Sequence, residues 1–520
     1  MLFNSFAFIF GFLPLSLAAT YLLARWRKDA AKLALTLLSL GFYAWWRPVH
    51  LPLLLFSIVF NYFVGGAIQR AHAGGRRRAV NAWLTFGLAV DLSMLGYFKY
   101  SNFIVDNLAL VTGADWHMRH IILPLAISFF TFQKMAYLID SARGEAKPMR
   151  FLDFSLFAAF YPQLIAGPIV HYEEIVPQLQ SRLFARRFTR NLLIGLVIFA
   201  IGLFKKTVIA DTLASYVDPL YAAAGEGWQF NLLSGWLAGI TYTFQLYFDF
   251  SGYSDMAIGL ARMFGVKLPL NFHSPLRASG VIDYWRRWHM TLQRFIVAYI
   301  FQPLSLPMNR LAARLRLDGW SAFAVAVGVP TFVTFLAVGI WHGAGWTFVL
   351  FGLMHAIYIC INEVWRERTR LRRRKAKRAK VTLREPGIAT IAGYHALTLV
   401  AVVYANVMFR ASSVAEALHI WRGMSGLDQL DLAIPQSATW ALAATLATSA
   451  ALIFLAPNTQ QILRRFDPAH NAAKWVEVAP APLPWVWRPN ATGLIFAGVT
   501  LFLGIIFIQR GQAVFLYFNF

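Results

Sequence analysis

Residues 321–362 read SAFAVAVGVPTFVTFLAVGIWHGAGWTFVLFGLMHAIYICIN, two apolar runs, 321–341 and 344–362, that meet at Trp341-His342-Gly343-Ala344-Gly345-Trp346. A hydrocarbon core takes about 20 apolar residues per helix, so the pair predicts two bilayer crossings with a histidine where they join. Runs of the same kind recur at 3–24, 33–46, 51–68, 81–98, 121–139, 191–204, 229–250, 387–409, 437–456 and 491–508. Together they predict an all-α polytopic membrane protein with about 11–12 transmembrane helices.

Composition points the same way. Of 520 residues, 58% are hydrophobic and 14% charged, and the mean hydropathy of +0.53 excludes a water-soluble enzyme, which would expose large apolar patches. Lys and Arg number 48 against 24 Asp and Glu, a net charge of +24. In so apolar a chain that excess belongs to loops flanking the membrane rather than to a nucleic-acid surface, so lipid is an expected partner and nucleic acid is not. The clusters Arg25, Arg27, Lys28 and Lys32; Arg70 and Arg76 to Arg78; Arg143 to Arg150; Arg182 to Arg190; and Arg366 to Arg384 mark cytoplasmic loops, with the N-terminus outside. The first run has no positive segment ahead of it and reads as an uncleaved span. Cys360, the single cysteine, permits neither an intrachain disulfide nor a multi-cysteine metal site. With no soluble domain and no internal repeat, residues 1–520 are expected to form one integral-membrane domain, with a basic cytoplasmic loop at 366–384 and a histidine-bearing core at about 240–362.

Two stretches do not read as plain spans. Within Phe154 to Ile175, Pro162 and the Gly167-Pro168 pair are expected to break the helix. Such backbone survives at membrane depth only inside protein or against a wet cavity, so a re-entrant element is expected. In the second stretch Thr241, Gln245, Asp249, Gly252, Asp255, Gly259 and Arg262 recur at helical steps and share one face. A charged residue at mid-membrane costs roughly 2.5 to 3.5 kcal/mol, so this face should meet helices or water. Asp249 and Asp255 are candidates to line a substrate path; an Asp255–Arg262 ion pair that ties helices together accounts for the pattern equally well.

Histidine meets unusual neighbours at two places. In Asp283-Tyr284-Trp285-Arg286-Arg287-Trp288-His289, Asp283 can pair with Arg286 or Arg287 one turn on, the tryptophans suit a membrane interface, and His289 is left unexplained. At His342, the glycines 343 and 345 remove side chains beside the imidazole, so backbone or substrate can approach. A histidine in an apolar cavity is suited to take a proton from a hydroxyl; a purely structural histidine joining two helices is the alternative. His355 lies thirteen residues further on, a turn of about 220° and a rise of about 20 Å along one straight helix, so the two could not share an ion there. No metal site is expected. No P-loop, dinucleotide fingerprint or serine-nucleophile motif is present.

These residues carry a family likeness. Ser128 to Lys134 (SFFTFQK), Tyr161 to Pro168 (YPQLIAGP), Tyr247 to Asp255 (YFDFSGYSD), Asp283 to His289, Trp341 to Trp346 and the aromatic C-terminal end together resemble the membrane-bound O-acyltransferase family, in its bacterial alginate O-acetyltransferase branch, over nearly the whole chain. The resemblance implies a ring of helices around a thin wall with a funnel on each side. It also implies His342 as the catalytic residue, His289 on the same path, and Trp285, Arg286, Trp288, Trp341, Gly343 and His355 as tunnel-lining candidates beside Asp249 and Asp255. It implies an inner-membrane enzyme with no bound cofactor that takes an acetyl group from acetyl-CoA or an acyl carrier protein thioester. The acetyl then passes to a periplasmic protein that completes acetylation of an exopolysaccharide. The segment Gln302 to Arg310 (QPLSLPMNR) departs from the branch's Pro-Leu-Gly-Gly-Asn-Arg-like wording, which leaves the polymer open. D-alanyl transfer, in a sister group sharing both histidine motifs, and a transporter or flippase without acyl chemistry are the competing readings.

Overall fold

The computed structural model describes residues 1–113, 120–182, 184–382, 385–430 and 439–508, and among these no strand forms. The helices that matter here are α1 (Ala7–Trp26), α2 (Lys28–Ala44), α3 (Pro48–Ala73), α4 (Arg77–Thr112), α5 (Ile127–Arg143), α6 (Phe188–Gly225), α7 (Leu232–Met263), α8 (Val281–Arg287), α9 (Met290–Ile296), α10 (Gly319–His342), α11 (Trp346–Arg378), α12 (Ile388–Arg410), α13 (Trp440–Phe454) and α14 (Ala491–Phe507). Seven of them, α1, α3, α4, α6, α10, α11 and α12, are long and apolar enough to cross a membrane. The shorter α13 and α14 are also apolar, and α2, α5 and α7 carry the remaining predicted runs. Each of the twelve runs thus has a helix over most of its described length, as expected of an all-α polytopic membrane protein. The aromatic C-terminal end lies outside the described residues, as do Leu183 and Arg384 within the basic clusters.

Burial separates an inner layer from an outer one. Every residue of α7 from Thr241 to Met263 is buried, and α5 is buried along nearly its whole length, whereas α4 and α12 turn most of their apolar surface outward. The inner position of α7 follows from its polar face, which lipid could not solvate. Its partners lie on α6, where a π turn at Lys205–Ala210 directs two successive lysines inward. Lys205 Nζ lies 2.6 Å from Asp255, and Lys206 Nζ lies 2.5 Å from Asp249 and 2.7 Å from Asp211. Asp255 therefore pairs with Lys205 on the neighbouring helix rather than with Arg262 on its own. Glycines on the same face admit α6 closely: a Cβ on Gly252 would stand 2.7 Å from the Gly202 carbonyl, and one on Gly259 2.6 Å from that of Gly195.

The expected break in the 154–175 stretch is present, one step earlier than proline placed it. The helix Phe151–Ala159 stops at Phe160, whose ψ is 106°, and Pro162 then sits in the first turn of the short helix Tyr161–Leu164, where its missing N–H costs nothing. Side chains take up the freed backbone groups: Gln133 and Gln163 both donate to the Phe157 carbonyl at 3.0 and 2.7 Å, and the Ile169 N–H donates to Thr291 Oγ1 at 3.0 Å. Phe154 to Val170 is buried throughout, which is the condition under which irregular backbone persists at membrane depth.

Candidate active site

α10 ends at His342, the chain runs extended through Gly343 (φ −169°, ψ 156°), and α11 begins at Trp346. The two helices pack back to back through small residues, since a Cβ on Gly352 would lie 2.3 Å from the Phe335 carbonyl. Gly343 is required for a different reason: its Cβ would lie 2.1 Å from the Phe348 ring. The basic end of α11 is the far end from His342, as the sequence predicts.

The last carbonyls of a helix have no partner within it, and α4 supplies two. Tyr100 OH donates to the Ile340 carbonyl at 2.9 Å, and Lys99 Nζ donates to the Trp341 carbonyl, one residue before His342. Lys99 is buried, with Ser128 Oγ at 3.3 Å and the Trp341 ring centroid at 5.8 Å. This lysine was not among the sequence candidates, because the run 81–98 stops one residue short of it. The available signal was an ionisable residue inside a span, which is costly enough to suggest a role.

His289 stands ahead of α9 in a left-handed conformation (φ 43°). Its Nδ1 lies 3.0 Å from Asn271 Oδ1, which also accepts from Thr291 Oγ1 at 2.8 Å, while Asn271 Nδ2 donates to Ser254 Oγ at 3.1 Å. An amide oxygen can only accept, so His289 Nδ1 is the donor of this hydrogen bond. Asn271 and Thr291 were likewise missed, since no helical spacing links them to His289. The Trp341 ring lies between the two histidines, its centroid 5.9 Å from that of His289 and 4.8 Å from that of His342.

The aromatic neighbours of His289 are not interfacial anchors. Tyr284, Trp285 and Trp288 are all buried, and Trp288 packs edge-on against Phe272 at 5.0 Å, because the backbone turn at His289 folds this segment inward. The Asp283–Arg287 pair forms at 2.6 Å. His342, His355, Trp285, Trp288, Tyr284, Phe351, Asn406 and Phe409 surround a void of about 10 Å³, room for about one water. His355 reaches this void because the chain reverses at Gly343, so the straight-helix geometry does not apply; Phe351 lies between the two imidazoles at 5.8 and 4.6 Å. Trp285 Nε1 donates to His355 Nδ1 at 3.1 Å, which leaves His355 Nε2 as the protonated nitrogen. Among the described residues no group of three His, Cys, Asp or Glu could hold a metal ion.

Trp285 is also the inner wall of a second cavity, of about 320 Å³, lined by Thr331, Thr334, Phe335 and Val338 and bordered by Arg286, Glu363 and Arg366. The Trp285 indole is thus common to the walls of both spaces. Asp249 and Asp255 are not brought to either one; they stay with the α6 lysines. Trp285, Trp288, Trp341, Gly343 and His355 gather at His342, and Arg286 stands at the outer cavity.

A family model described as MBOAT, the membrane-bound O-acyltransferase family, matches residues 91–394, which include Lys99, His289, His342 and His355. The peptidoglycan O-acetyltransferase of Helicobacter pylori is 39% identical to this chain over 460 residues, 83% of this chain and 81% of that protein. The probable alginate O-acetylase of Azotobacter vinelandii is 39% identical over 377 residues, 70% of this chain and 69% of its own. A teichoic acid D-alanyltransferase of Streptococcus thermophilus is 28% identical over 259 residues, 49% and 60% of the two chains.

Proposed function

The chain belongs to the membrane-bound O-acyltransferase family, and from that premise we propose that it carries an acetyl group from a cytoplasmic thioester, acetyl-CoA or an acyl carrier protein, across a bacterial inner membrane. A periplasmic protein then delivers the group to hydroxyls of an envelope or extracellular polysaccharide, alginate or another. The relatives with O-acetyl activity in their names match at 39% over more than two thirds of their length, the D-alanyl relative at 28% over less, and this favours acetyl over D-alanyl transfer. Acyl-transfer relatives also displace the transporter reading.

The observation that carries the mechanism is the placement of His342 in a void of one water's size, whose wall at Trp285 is shared with a larger cavity that has arginines at its border. Arg286 suits the phosphates of a thioester carrier, with Arg366 beside it paired to Glu363, and the apolar interior suits its acyl arm. Movement of Trp285 admits the thioester carbon to His342. His342 then takes the proton of the attacking hydroxyl as the new C–O bond forms and the carbonyl oxygen gains charge. When the C–S bond breaks, the imidazolium returns the proton to the departing thiolate. The oxyanion needs a fixed donor; Trp341 Nε1 is buried beside His342 and has no hydrogen-bond partner among the described residues, and it fills this role. The small void excludes the bulk water that would hydrolyse the donor.

The test is mass analysis of cell-surface polysaccharide from a deletion strain complemented with the wild-type gene or with His342→Ala. Acetyl groups should be absent in the deletion strain, restored by the wild type, and absent with the variant at equal membrane abundance. Acetylation restored by the variant removes the base assignment, and acetylation that survives deletion removes the proposed function.

A further inference from the structure

Apart from the two cavities at Trp285, α1, α6 and α14 bound an open groove of about 970 Å³. Its floor is apolar. From α6 it takes Phe188, Leu192, Leu196 and Phe199, whose steps of four, four and three put them on one helical face. Along α1 it runs from Ile9 to Arg25, about 24 Å of helix rise, most of a hydrocarbon core of about 30 Å. Charge gathers at one end only, where Arg25, Arg186 and Arg187 border the groove.

Among the described residues no carboxylate offsets the charge of these three arginines, which stand together at the end of an apolar groove. Arg150, Arg294, Arg366, Arg370, Arg410 and Arg422 each meet a carboxylate, whereas Arg25, Arg186 and Arg187 form no ion pair among the described residues. The helical turn that follows Arg187 adds to the field, for it has no acidic residue and no side-chain cap, so its free N–H groups point partial positive charge the same way. An apolar trough the length of an acyl chain, ending in three uncompensated guanidinium groups, describes an amphiphile with an anionic head.

We propose that this groove is a binding site for a diacyl phospholipid of net negative headgroup charge, its phosphate held by Arg25, Arg186 and Arg187 and its chains lying against α1 and α6. Guanidinium and phosphate match in geometry as well as charge. A headgroup that also carries an ammonium would bring a further cation to the cluster, so zwitterionic lipids bind more weakly. Inorganic phosphate lacks the chains that the trough accommodates. The groove shares no lining residue with the void at His342, so the proposal stands or falls independently of the catalytic reading.

The experiment is native mass spectrometry of the full chain in neutral detergent, titrated with phosphatidylglycerol, with phosphatidylcholine of the same chains, or with inorganic phosphate. The expected result is a one-to-one phosphatidylglycerol adduct, retained at least about 10-fold better than phosphatidylcholine, as three basic contacts allow, and no phosphate adduct. Arg186→Gln with Arg187→Gln should lower phosphatidylglycerol retention to the phosphatidylcholine level, while Arg372→Gln with Arg374→Gln in the basic stretch of α11 leaves it unchanged. Leu192→Trp with Leu196→Trp, which fills the trough without touching charge, should reduce both lipid adducts and serves as the test if the arginine variant fails to fold. Equal retention of the two lipids by the wild-type protein, phosphate binding as tight as lipid binding, or retention untouched by either groove variant overturns the proposal.

Discussion

Replacing Lys99 by Met separates what this residue does for stability from what it does for the site. The ammonium donates to the Trp341 carbonyl and lies 3.3 Å from Ser128 Oγ; a hydrogen bond from a charged group is worth about 1.5 to 3 kcal/mol net. Against that stands the cost of keeping a cation out of water, several kcal/mol, which the variant no longer bears, and methionine fills the volume with a flexible apolar chain. The two effects oppose, so the unfolding transition should move little. Catalysis has no such offset. Without its donor the last turn of α10 keeps only one of its two hydrogen bonds from α4, that of Tyr100 to Ile340, and a misplacement of about 1 Å at the reacting group costs on the order of 100-fold in rate. The lost 1.5 to 3 kcal/mol corresponds to about 10- to 150-fold. The assay is turnover of an acetyl thioester by protein in proteoliposomes at saturating donor, alongside thermal unfolding. Turnover within about twofold of wild type, or a loss that tracks the fraction unfolded, would refute the view that Lys99 positions His342.

Three further outcomes follow from the same geometry. Asn271→Leu strands the donors of His289 and Thr291, each at about 1 to 3 kcal/mol, and should lower the unfolding temperature clearly, whereas Asn271→Asp keeps an acceptor in place and should be milder; equal shifts would contradict the hydrogen-bond assignment. Lys206→Met leaves Asp211 and Asp249 buried without their shared cation, a loss of about 3 to 5 kcal/mol, so membrane abundance should collapse and recover when both acids become Asn; normal abundance of the single variant would count against a structural role for the cluster. Trp341→Phe keeps the ring and removes the N–H, so kcat should fall by about 10²- to 10³-fold with KM nearly unchanged, as for a lost oxyanion donor; unchanged kcat would assign that role elsewhere.

What the sequence revealed of this fold, and what it concealed, divides along physical lines. Apolar length is a one-dimensional property, so all twelve runs could be found without knowing any contact. The polar face of α7 was legible because it repeats along a single helix, but the partner of Asp255 was not: Lys205 lies 50 residues away and is turned inward by a π turn that has no periodic signature. Trp285 and Trp288 illustrate an ambiguity of chemistry, since an indole suits an interface and a packed interior alike; only the inward turn at His289 decides between them. His342 and His355 were judged along one straight helix, yet the extended backbone at Gly343 reverses the chain and lets both reach one void. Lys99 was passed over because hydropathy draws a span's edge at a charge, whereas α4 continues to Thr112 with that charge buried.

The most direct test of the central claim is the rate of thiol release from an acetyl thioester by the purified protein in proteoliposomes, with acceptor present, for wild type against His342→Gln. With folding and lipid content matched, the account predicts a loss of about 10²- to 10⁴-fold, the contribution of a general base. Release at close to the wild-type rate would contradict it.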